Sequence, residues 1–363
     1  MIGSRFSKIY IIWTIAFISA IIVMSSAVYH IYFAQSPKKK VSERDFKTVS
    51  VAMDTSRART SEPIEPLKKP ANLDAEKIAL GRALFHDPRL SHDDSVSCAS
   101  CHDLMRGGVD RLRVSVGVDS KLGDINAPTV YNSALSFRQF WDGRARDLEE
   151  QAIAPIVNPV EMASSMDEIL PKLNSDANLV TAFRAIYRQP PNAKNVIDAL
   201  VEFEKSLITP SRFDRWLLGD DEAITETELK GYRLFIQYGC VACHQGEGVG
   251  GNLFQRFGIM HDYYTDRCAT EARSGEKQTN CGLVKSDFGR FNVTGREEDR
   301  FVFKVPTLRN VELTPPYFHD GSAQTLEEAV AKMGLFQLGI ELPIEDMEDI
   351  ATFLRALSGE ELQ

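Results

Sequence analysis

The sequence predicts a mainly α-helical fold with two similar lobes and long loops between the helices. Apolar residues recur at helical spacing in four segments, whereas the alternation typical of strands is scarce. A short pattern occurs twice, as Gly81-Arg-Ala-Leu-Phe85 and Gly231-Tyr-Arg-Leu-Phe235, which fits one helical unit used twice, although two pentapeptides can also coincide by chance. The chain of 363 residues, 43% of them hydrophobic, is long enough for two modest domains.

Each of the four helical segments has a recognisable start or end. The first two are a helix capped by Asp74 that carries Leu80 and Leu84, and a helix with Val196, Leu200, Phe203 and Leu207 that ends at Thr209-Pro210. The other two are a helix that begins with a capping box of Thr225 and Glu228 and carries Leu229 and Phe235, and a helix with Ile344, Met347, Ile350 and Leu354 that ends by Gly359.

The chain before these helices falls into two parts. From Ile9 to Val28 no residue is charged, and the stretch is long enough to cross a bilayer, so residues 1–33 are predicted to be a transmembrane anchor helix. A cleaved signal peptide is the alternative, although its apolar region would normally be shorter. Either interpretation exports the rest of the chain. Residues 34–70 are rich in Lys, Ser, Arg, Thr and Pro and predict a flexible tether, with ordered structure beginning near Pro70.

The exported part of the chain is acidic. The first 50 residues hold seven Lys and Arg and two acidic residues, so the remainder holds 35 basic and 49 acidic residues, a net charge of −14. A surface of this sign favours a basic protein partner and disfavours nucleic acid.

The pattern Cys-x-x-Cys-His occurs twice, at residues 98–102 and 240–244. Two thiols three residues apart lie on one turn, so both can reach the vinyl groups of one haem, and the imidazole that follows can bind the iron. A zinc ribbon or a redox dithiol would not need a histidine after each pair. We therefore predict two covalent haem c groups, attached through Cys98, Cys101 and His102 and through Cys240, Cys243 and His244.

Two further cysteines, Cys268 and Cys281, remain. In an oxidising compartment we expect a disulfide between them, which would stabilise the protein by about 3 kcal/mol in the chain-entropy model. Two free buried thiols are the alternative.

Several stretches between Leu73 and Gly359 match one family in content and in order. They are Phe85-His-Asp-Pro-Arg-Leu-Ser91, Ser97-Cys-Ala-Ser-Cys-His102, Gly107-Gly-Val-Asp110, Asn126-Ala-Pro-Thr129, Phe140-Trp-Asp-Gly-Arg144, Asn158-Pro-Val-Glu-Met162, Val305-Pro-Thr-Leu-Arg-Asn310 and Thr314-Pro-Pro-Tyr-Phe-His319. On these residues the chain resembles the bacterial di-haem cytochrome c peroxidases, a family that also contains the MauG-type protein oxidases. The resemblance implies two cytochrome c-like lobes, residues 71–211 with a peroxide-binding haem and residues 212–363 with an electron-transfer haem.

The resemblance also assigns a ligand to the electron-transfer haem. Family members bind this iron with a methionine fourteen residues after the histidine of Pro-Tyr-Phe-His, which is Met333 here, and a thioether ligand raises the potential of a haem. MauG-type proteins have tyrosine at this place, so Met333 favours a peroxidase. Considered alone, Met333 would be an ordinary core methionine. His319 is expected to support the haem pocket.

Three residues match the catalytic groups of the family. Glu161 corresponds to the carboxylate that moves protons during peroxide cleavage, and Gln151 to a polar companion in the same pocket. Trp141 corresponds to the indole between the haems. Without the resemblance, Glu161 would be interpreted as a solvated acid and Trp141 as a packing residue.

The resemblance implies one further metal site. Asn126 and the carbonyl groups of Thr314 and Pro316 match a calcium site at the lobe interface, and oxygen ligands suit this hard cation.

One position departs from the family pattern. Many members have a second histidine sixteen residues after the first, in a Ser-x-Gly-His segment, and it blocks the peroxide-binding haem until the other haem is reduced. Here the segment reads Ser115-Val-Gly-Val118, and valine cannot bind iron. We expect an open peroxide-binding haem, unless His86, His92 or His261 caps it.

The resemblance therefore implies reduction of hydrogen peroxide to water in the periplasm, with electrons from a small basic cytochrome c or cupredoxin and without prior reductive activation. Family members are commonly dimers. One alternative is a MauG-like oxidase that modifies a partner protein, which an open haem suits and Met333 does not. Another is a membrane-bound electron carrier without turnover, against which Glu161 and Gln151 argue.

Overall fold

The computed structural model describes residues 59–267 and 282–362. These ranges are mainly helical, with one two-stranded sheet. No helix within them is long and apolar enough to span a membrane. The predicted anchor, residues 1–33, and both Cys268 and Cys281 lie outside the described residues, so the anchor and the disulfide stay predictions.

The first group of helices surrounds one apolar core, and we call it the N-terminal lobe. Its helices are α1 (Ala75–Phe85), α2 (Cys98–Cys101), α3 (Leu148–Val157), α4 (Met166–Asn174), α5 (Ala177–Tyr187) and α6 (Ala193–Ser206). The buried residues of this core run from Leu80 to Leu207. A long loop with short 3-10 turns separates α2 from α3.

The second group surrounds a separate core and forms the C-terminal lobe. Its helices are α7 (Arg212–Leu217), α8 (Glu226–Gln237), α9 (Phe291–Thr294), α10 (Leu326–Met333) and α11 (Ile344–Arg355). Its strands β1 (Phe254–Arg256) and β2 (Val302–Lys304) pair antiparallel, with Phe254 opposite Lys304. A π-helical turn, Gly334–Leu338, directly follows α10.

The four predicted helices are present as α1, α6, α8 and α11. The Asp74 carboxylate caps α1 by accepting hydrogen bonds from two backbone N–H groups, and Thr225 and Glu228 form the expected capping box of α8. The prediction was wrong for one residue of these apolar faces. Ile344, the first residue of α11, is 71% exposed, since the first turn of this helix extends beyond the core.

The repeated pentapeptide marks the crossing of two helices in each lobe. A β-carbon on Gly81 would lie 1.9 Å from the carbonyl oxygen of Ala199 in α6, and one on Gly231 would lie 1.9 Å from that of Asp349 in α11. The equivalent ring contacts are Phe85 with Phe203 and Phe235 with Phe353. Only glycine allows this close approach, so the short sequence repeat reflects one helix pair built twice.

A second pair of equivalent residues joins the two lobes. Asn132 and Asn310 both have left-handed backbone conformations, with φ of 60° and 62°. Each amide group donates a hydrogen bond of 2.9 Å to the hydroxyl oxygen of Thr209, and all three residues are buried. One threonine thus connects equivalent loops of the N-terminal and C-terminal lobes.

The last part of the predicted tether, residues 59–69, packs on the C-terminal lobe. Ile64 and Leu67 are buried, and the backbone N–H of Leu67 donates to the Asp214 carboxylate at 2.7 Å. The same carboxylate pairs with the fully buried guanidinium of Arg309. The tether prediction was wrong for this stretch, because two isolated apolar residues show no periodicity in the sequence.

Candidate active site and haem-binding motifs

The first Cys-x-x-Cys-His motif forms the short helix α2 and the residue after it. Ser97 and Ser100 form a capping box at its start, which places both thiols on a single helical turn. The Nδ1 atom of His102 lies 3.2 Å from the carbonyl oxygen of Gly108, so Nε2 is left for a metal. Burial lowers the pKa of His102 and so favours the neutral imidazole, the form that binds iron.

The second motif has the same arrangement on a 3-10 turn, Cys240–Ala242. The Nδ1 atom of His244 lies 3.4 Å from the carbonyl oxygen of Val249, and burial lowers the pKa of His244 to about 4. Among the described residues, none of the four cysteines of the two motifs forms a disulfide, so all four can serve as attachment points.

An apolar cavity lies beside the second motif. Its lining includes both thiols, His244 and Met333, the last residue of α10. The π-helical turn that follows Met333 is a feature found frequently at functional sites. The cavity thus combines two attachment points with an imidazole and a thioether, which fits a covalent haem with His and Met ligands.

Trp141 lies on the wall of this cavity and connects the lobes. Its indole N–H donates to the carbonyl oxygen of Asn126 at 2.9 Å, and its own carbonyl accepts from the N–H of Lys304 at 2.8 Å. The indole makes T-shaped contacts with the rings of Phe303 and His319, and its centroid lies 6.4 Å from the centroid of each ring. A tryptophan of the N-terminal lobe thereby lines the cavity beside the second motif of the C-terminal lobe.

The segment 126–129 lies close to the histidines of both motifs, His102 and His244. Asn126, Pro128 and Thr129 line the cavity that contains His244. The carbonyl group of Pro128 lies close enough to His102 to favour its protonated form, against the larger effect of burial. The two predicted haem sites are therefore neighbours.

Glu161 lies close to the first motif. Its Oε1 atom accepts a hydrogen bond of 2.5 Å from the Asn158 amide, and burial raises the pKa of Glu161. Burial also raises the pKa of Cys101 to about 11, and the nearby carboxylates of Asp110 and Glu161 contribute to that shift. A partly buried carboxyl group with a raised pKa thus lies near the first haem-attachment turn.

The segment with the missing histidine contacts the backbone of Glu161. The N–H of Val118 donates to the Glu161 carbonyl oxygen at 2.9 Å, and Val118 is only 1% exposed. Ser115, at the start of the segment, hydrogen-bonds the thiol of Cys101. The sequence position at which many relatives have a second histidine therefore lies beside the catalytic candidate and carries an apolar side chain.

The other histidines proposed as caps lie on the surface. His86 bonds the carbonyl oxygen of Arg82, His92 pairs with Glu168, and His261 is also exposed. Gln151 lies partly buried in α3, the helix whose C-terminal cap is the Asn158 that binds Glu161.

A buried charge cluster, which sequence reasoning missed, surrounds His319. The Nε2 atom of His319 lies 2.9 Å from Asp287, and Arg267 pairs with Asp287 at 2.8 Å and with Asp320 at 2.7 Å. His319 and the two carboxylates are close enough to hold a metal ion. The Arg267 guanidinium bonds both carboxylates, so the cluster is an ion-pair network that fixes His319 on the cavity wall. No sequence signal links these residues, because up to 53 positions separate them.

The three residues expected to bind calcium all line the cavity. The side-chain nitrogen of Asn126 donates to the carbonyl oxygen of Leu112 at 2.9 Å, and within the described ranges its amide oxygen accepts no hydrogen bond. That oxygen is available together with the carbonyl groups of Thr314 and Pro316.

The comparisons with known proteins identify the family. A family model described as di-haem cytochrome c peroxidase matches residues 75–222. The chain is 48% identical to the cytochrome c peroxidase Ccp of Escherichia coli over 84% of its own length, and it spans 63% of the length of that relative. It is 44% identical to the cytochrome c551 peroxidase of Nitrosomonas europaea, with 83% of this chain and 85% of the relative covered.

A solved structure of a related protein has a similar fold. A MauG-like protein associated with microbial copper homeostasis superposes with a TM-score of 0.69 at 27% identity, with 84% of this chain and 95% of that chain covered. The family implies two haem c groups, which the residues at both motifs fit. The chain belongs to the di-haem cytochrome c peroxidase family of enzymes.

Proposed function

We propose that this protein reduces hydrogen peroxide to water at the haem of the first motif, without prior reductive activation. Electrons would come from a small cytochrome c or cupredoxin and pass through the haem of the second motif. The observation that carries this proposal is the backbone hydrogen bond from Val118 to Glu161, which brings a partly buried carboxyl group with a raised pKa next to a position whose side chain cannot bind iron.

The protein groups have distinct roles in this reaction. A bound haem supplies an iron that binds peroxide and accepts electrons. Glu161, held by the Asn158 amide, takes a proton from one peroxide oxygen and returns it to the departing oxygen. Gln151 is the polar companion of Glu161, and Trp141, fixed by its bonds to Asn126 and Lys304, provides the aromatic connection between the haems.

Met333 supports the assignment of the second site to electron transfer. A haem bound by a thioether and an imidazole would have a higher potential than one bound by two imidazoles. This ligand pair suits a haem that receives electrons from a soluble donor. The acidic net charge of the chain favours a basic donor.

The remaining expectations belong to the same proposal. Asn126, Thr314 and Pro316 would hold a calcium ion at the junction of the lobes. A periplasmic location, attachment through the N-terminal segment and a homodimer follow from the sequence and from the family resemblance.

A MauG-like oxidase that modifies a partner protein is the second candidate. Val118 favours it, because an open haem suits such an oxidase as well as a peroxidase. Met333 argues against it, because MauG-type proteins have tyrosine at the corresponding position.

Peroxide-dependent oxidation of a reduced c-type cytochrome tests the proposal. The wild-type protein should turn over, and Glu161→Gln should lower kcat/KM for peroxide by roughly 10²–10⁴-fold, the contribution typical of a positioned acid–base group. Glu149→Gln, which changes an exposed glutamate of α3, is the matched control and should leave the rate unchanged. A wild-type protein that consumes peroxide without oxidising the cytochrome would favour the oxidase.

A further inference from the structure

Lys304 is a buried lysine next to the aromatic connection between the lobes. It ends β2, and its N–H donates to the carbonyl oxygen of Trp141. The residue is 9% exposed, and its Nζ atom has one weak contact, 3.4 Å from the Ser136 hydroxyl. Burial lowers the pKa of Lys304 to about 8, and no carboxylate of the described residues pairs with it.

The cavity that Lys304 lines has an unusual charge composition. No Asp or Glu of the described ranges lines it, whereas Lys304, Arg256 and Arg309 do. Arg309 is neutralised by Asp214, and Arg256 is an exposed residue whose guanidinium lies over the Phe301 ring. Lys304 is therefore the buried cation of this lining that lacks an anionic partner among the described residues.

A buried ammonium group is unfavourable unless an opposite charge compensates it. The cavity also contains the second haem-attachment motif, and a haem c carries two propionate carboxylates. We infer that Lys304 binds a propionate carboxylate of the haem held by Cys240, Cys243 and His244, as the counter-ion of that group. This inference rests on haem binding at the second motif and not on the peroxidase reaction.

The proposed contact has two consequences. The bond from the Lys304 backbone to Trp141 ties the propionate-binding residue to the indole, so the same short strand positions the haem edge and the aromatic connection. A lysine that neutralises a propionate also favours the reduced haem, because reduction removes a positive charge from the iron. Lys304 is thus a positioning residue for electron transfer.

The test uses the holoprotein with both haems attached. Lys304→Met removes the charge with little change in length, Lys304→Arg keeps the charge, and Lys285→Met removes an exposed lysine of the same lobe as a control. The readouts are the propionate bending bands in the resonance Raman spectrum and the potential of the second haem in a redox titration. Neither depends on peroxide turnover.

Lys304→Met should shift a propionate band and lower the potential of the second haem, and Lys285→Met should change neither. Lys304→Arg should shift the band, because a guanidinium donates with different geometry, and should keep the potential close to the wild-type value. This variant also decides the matter if Lys304→Met does not retain the second haem. Unchanged propionate bands in a Lys304 variant that carries both haems would overturn the inference, whatever the peroxidase activity.

Discussion

The loop that carries Val118 leaves no space for a side chain at Gly117, which lies against the backbone of Val160 and Glu161. A β-carbon on Gly117 would lie 2.2 Å from the carbonyl oxygen of Val160 and 2.5 Å from that of Glu161. The φ of Gly117 is −99°, which alanine adopts without strain, so Gly117→Ala acts through the collision alone. Restoring an ordinary contact requires a displacement of about 1 Å, and misplacing a catalytic group by this distance costs on the order of 10²-fold in rate.

The assay follows oxidation of a reduced c-type cytochrome and gives kcat/KM for peroxide. Gly117→Ala should lower kcat/KM by about 10²-fold while both haems stay attached. Gly123→Ala is the matched control, because a β-carbon there would lie 3.6 Å from the nearest atom, the carbonyl oxygen of Ser115. Wild-type kcat/KM in Gly117→Ala would show that this loop does not position Glu161 for the reaction.

Two further predictions concern the second haem and the buried core. Met333→His should lower the potential of one low-spin haem in a redox titration, because imidazole replaces a thioether ligand; an unchanged spectrum and potential would mean that Met333 only packs. Burial raises the pKa of Glu204 from 4.5 to about 8, so the folded protein retains a proton that the unfolded chain releases. The contribution of Glu204 to the free energy of unfolding should therefore be greatest below pH 4.5 and fall by on the order of 5 kcal/mol between pH 4.5 and pH 8. Denaturant unfolding at pH 5 and pH 8 should show a smaller difference in Glu204→Gln than in the wild type, and equal differences would contradict the prediction.

Features encoded by neighbouring residues could be predicted from the sequence. The haem-attachment motifs and the caps of α1 and α8 depend on residues within one or two turns. Helices α3 and α4 were not predicted, since Pro155 and Pro171 lie inside them and proline normally indicates a helix end. Both helices form because tertiary packing outweighs this local preference.

Features that depend on distant residues could not be predicted. The close approach of Gly81 to Ala199 explains the glycine of the repeat, yet the sequence shows only that the pattern recurs. The pairing of Arg267 with Asp287 and Asp320 joins residues without any common spacing. At the active site, the family resemblance indicated Glu161 and Val118 separately, and the hydrogen bond between their backbones became visible only in the structure.

We propose that the haem of the first motif is open, because Val118 cannot bind its iron. The most direct test is electron paramagnetic resonance of the fully oxidised protein as isolated, followed by addition of hydrogen peroxide. We predict a high-spin ferric signal from one haem, a low-spin signal from the other and an immediate reaction with peroxide, whereas Val118→His should give two low-spin haems and require prior reduction. Two low-spin signals in the wild type, with no reaction until the protein is reduced, would contradict the claim.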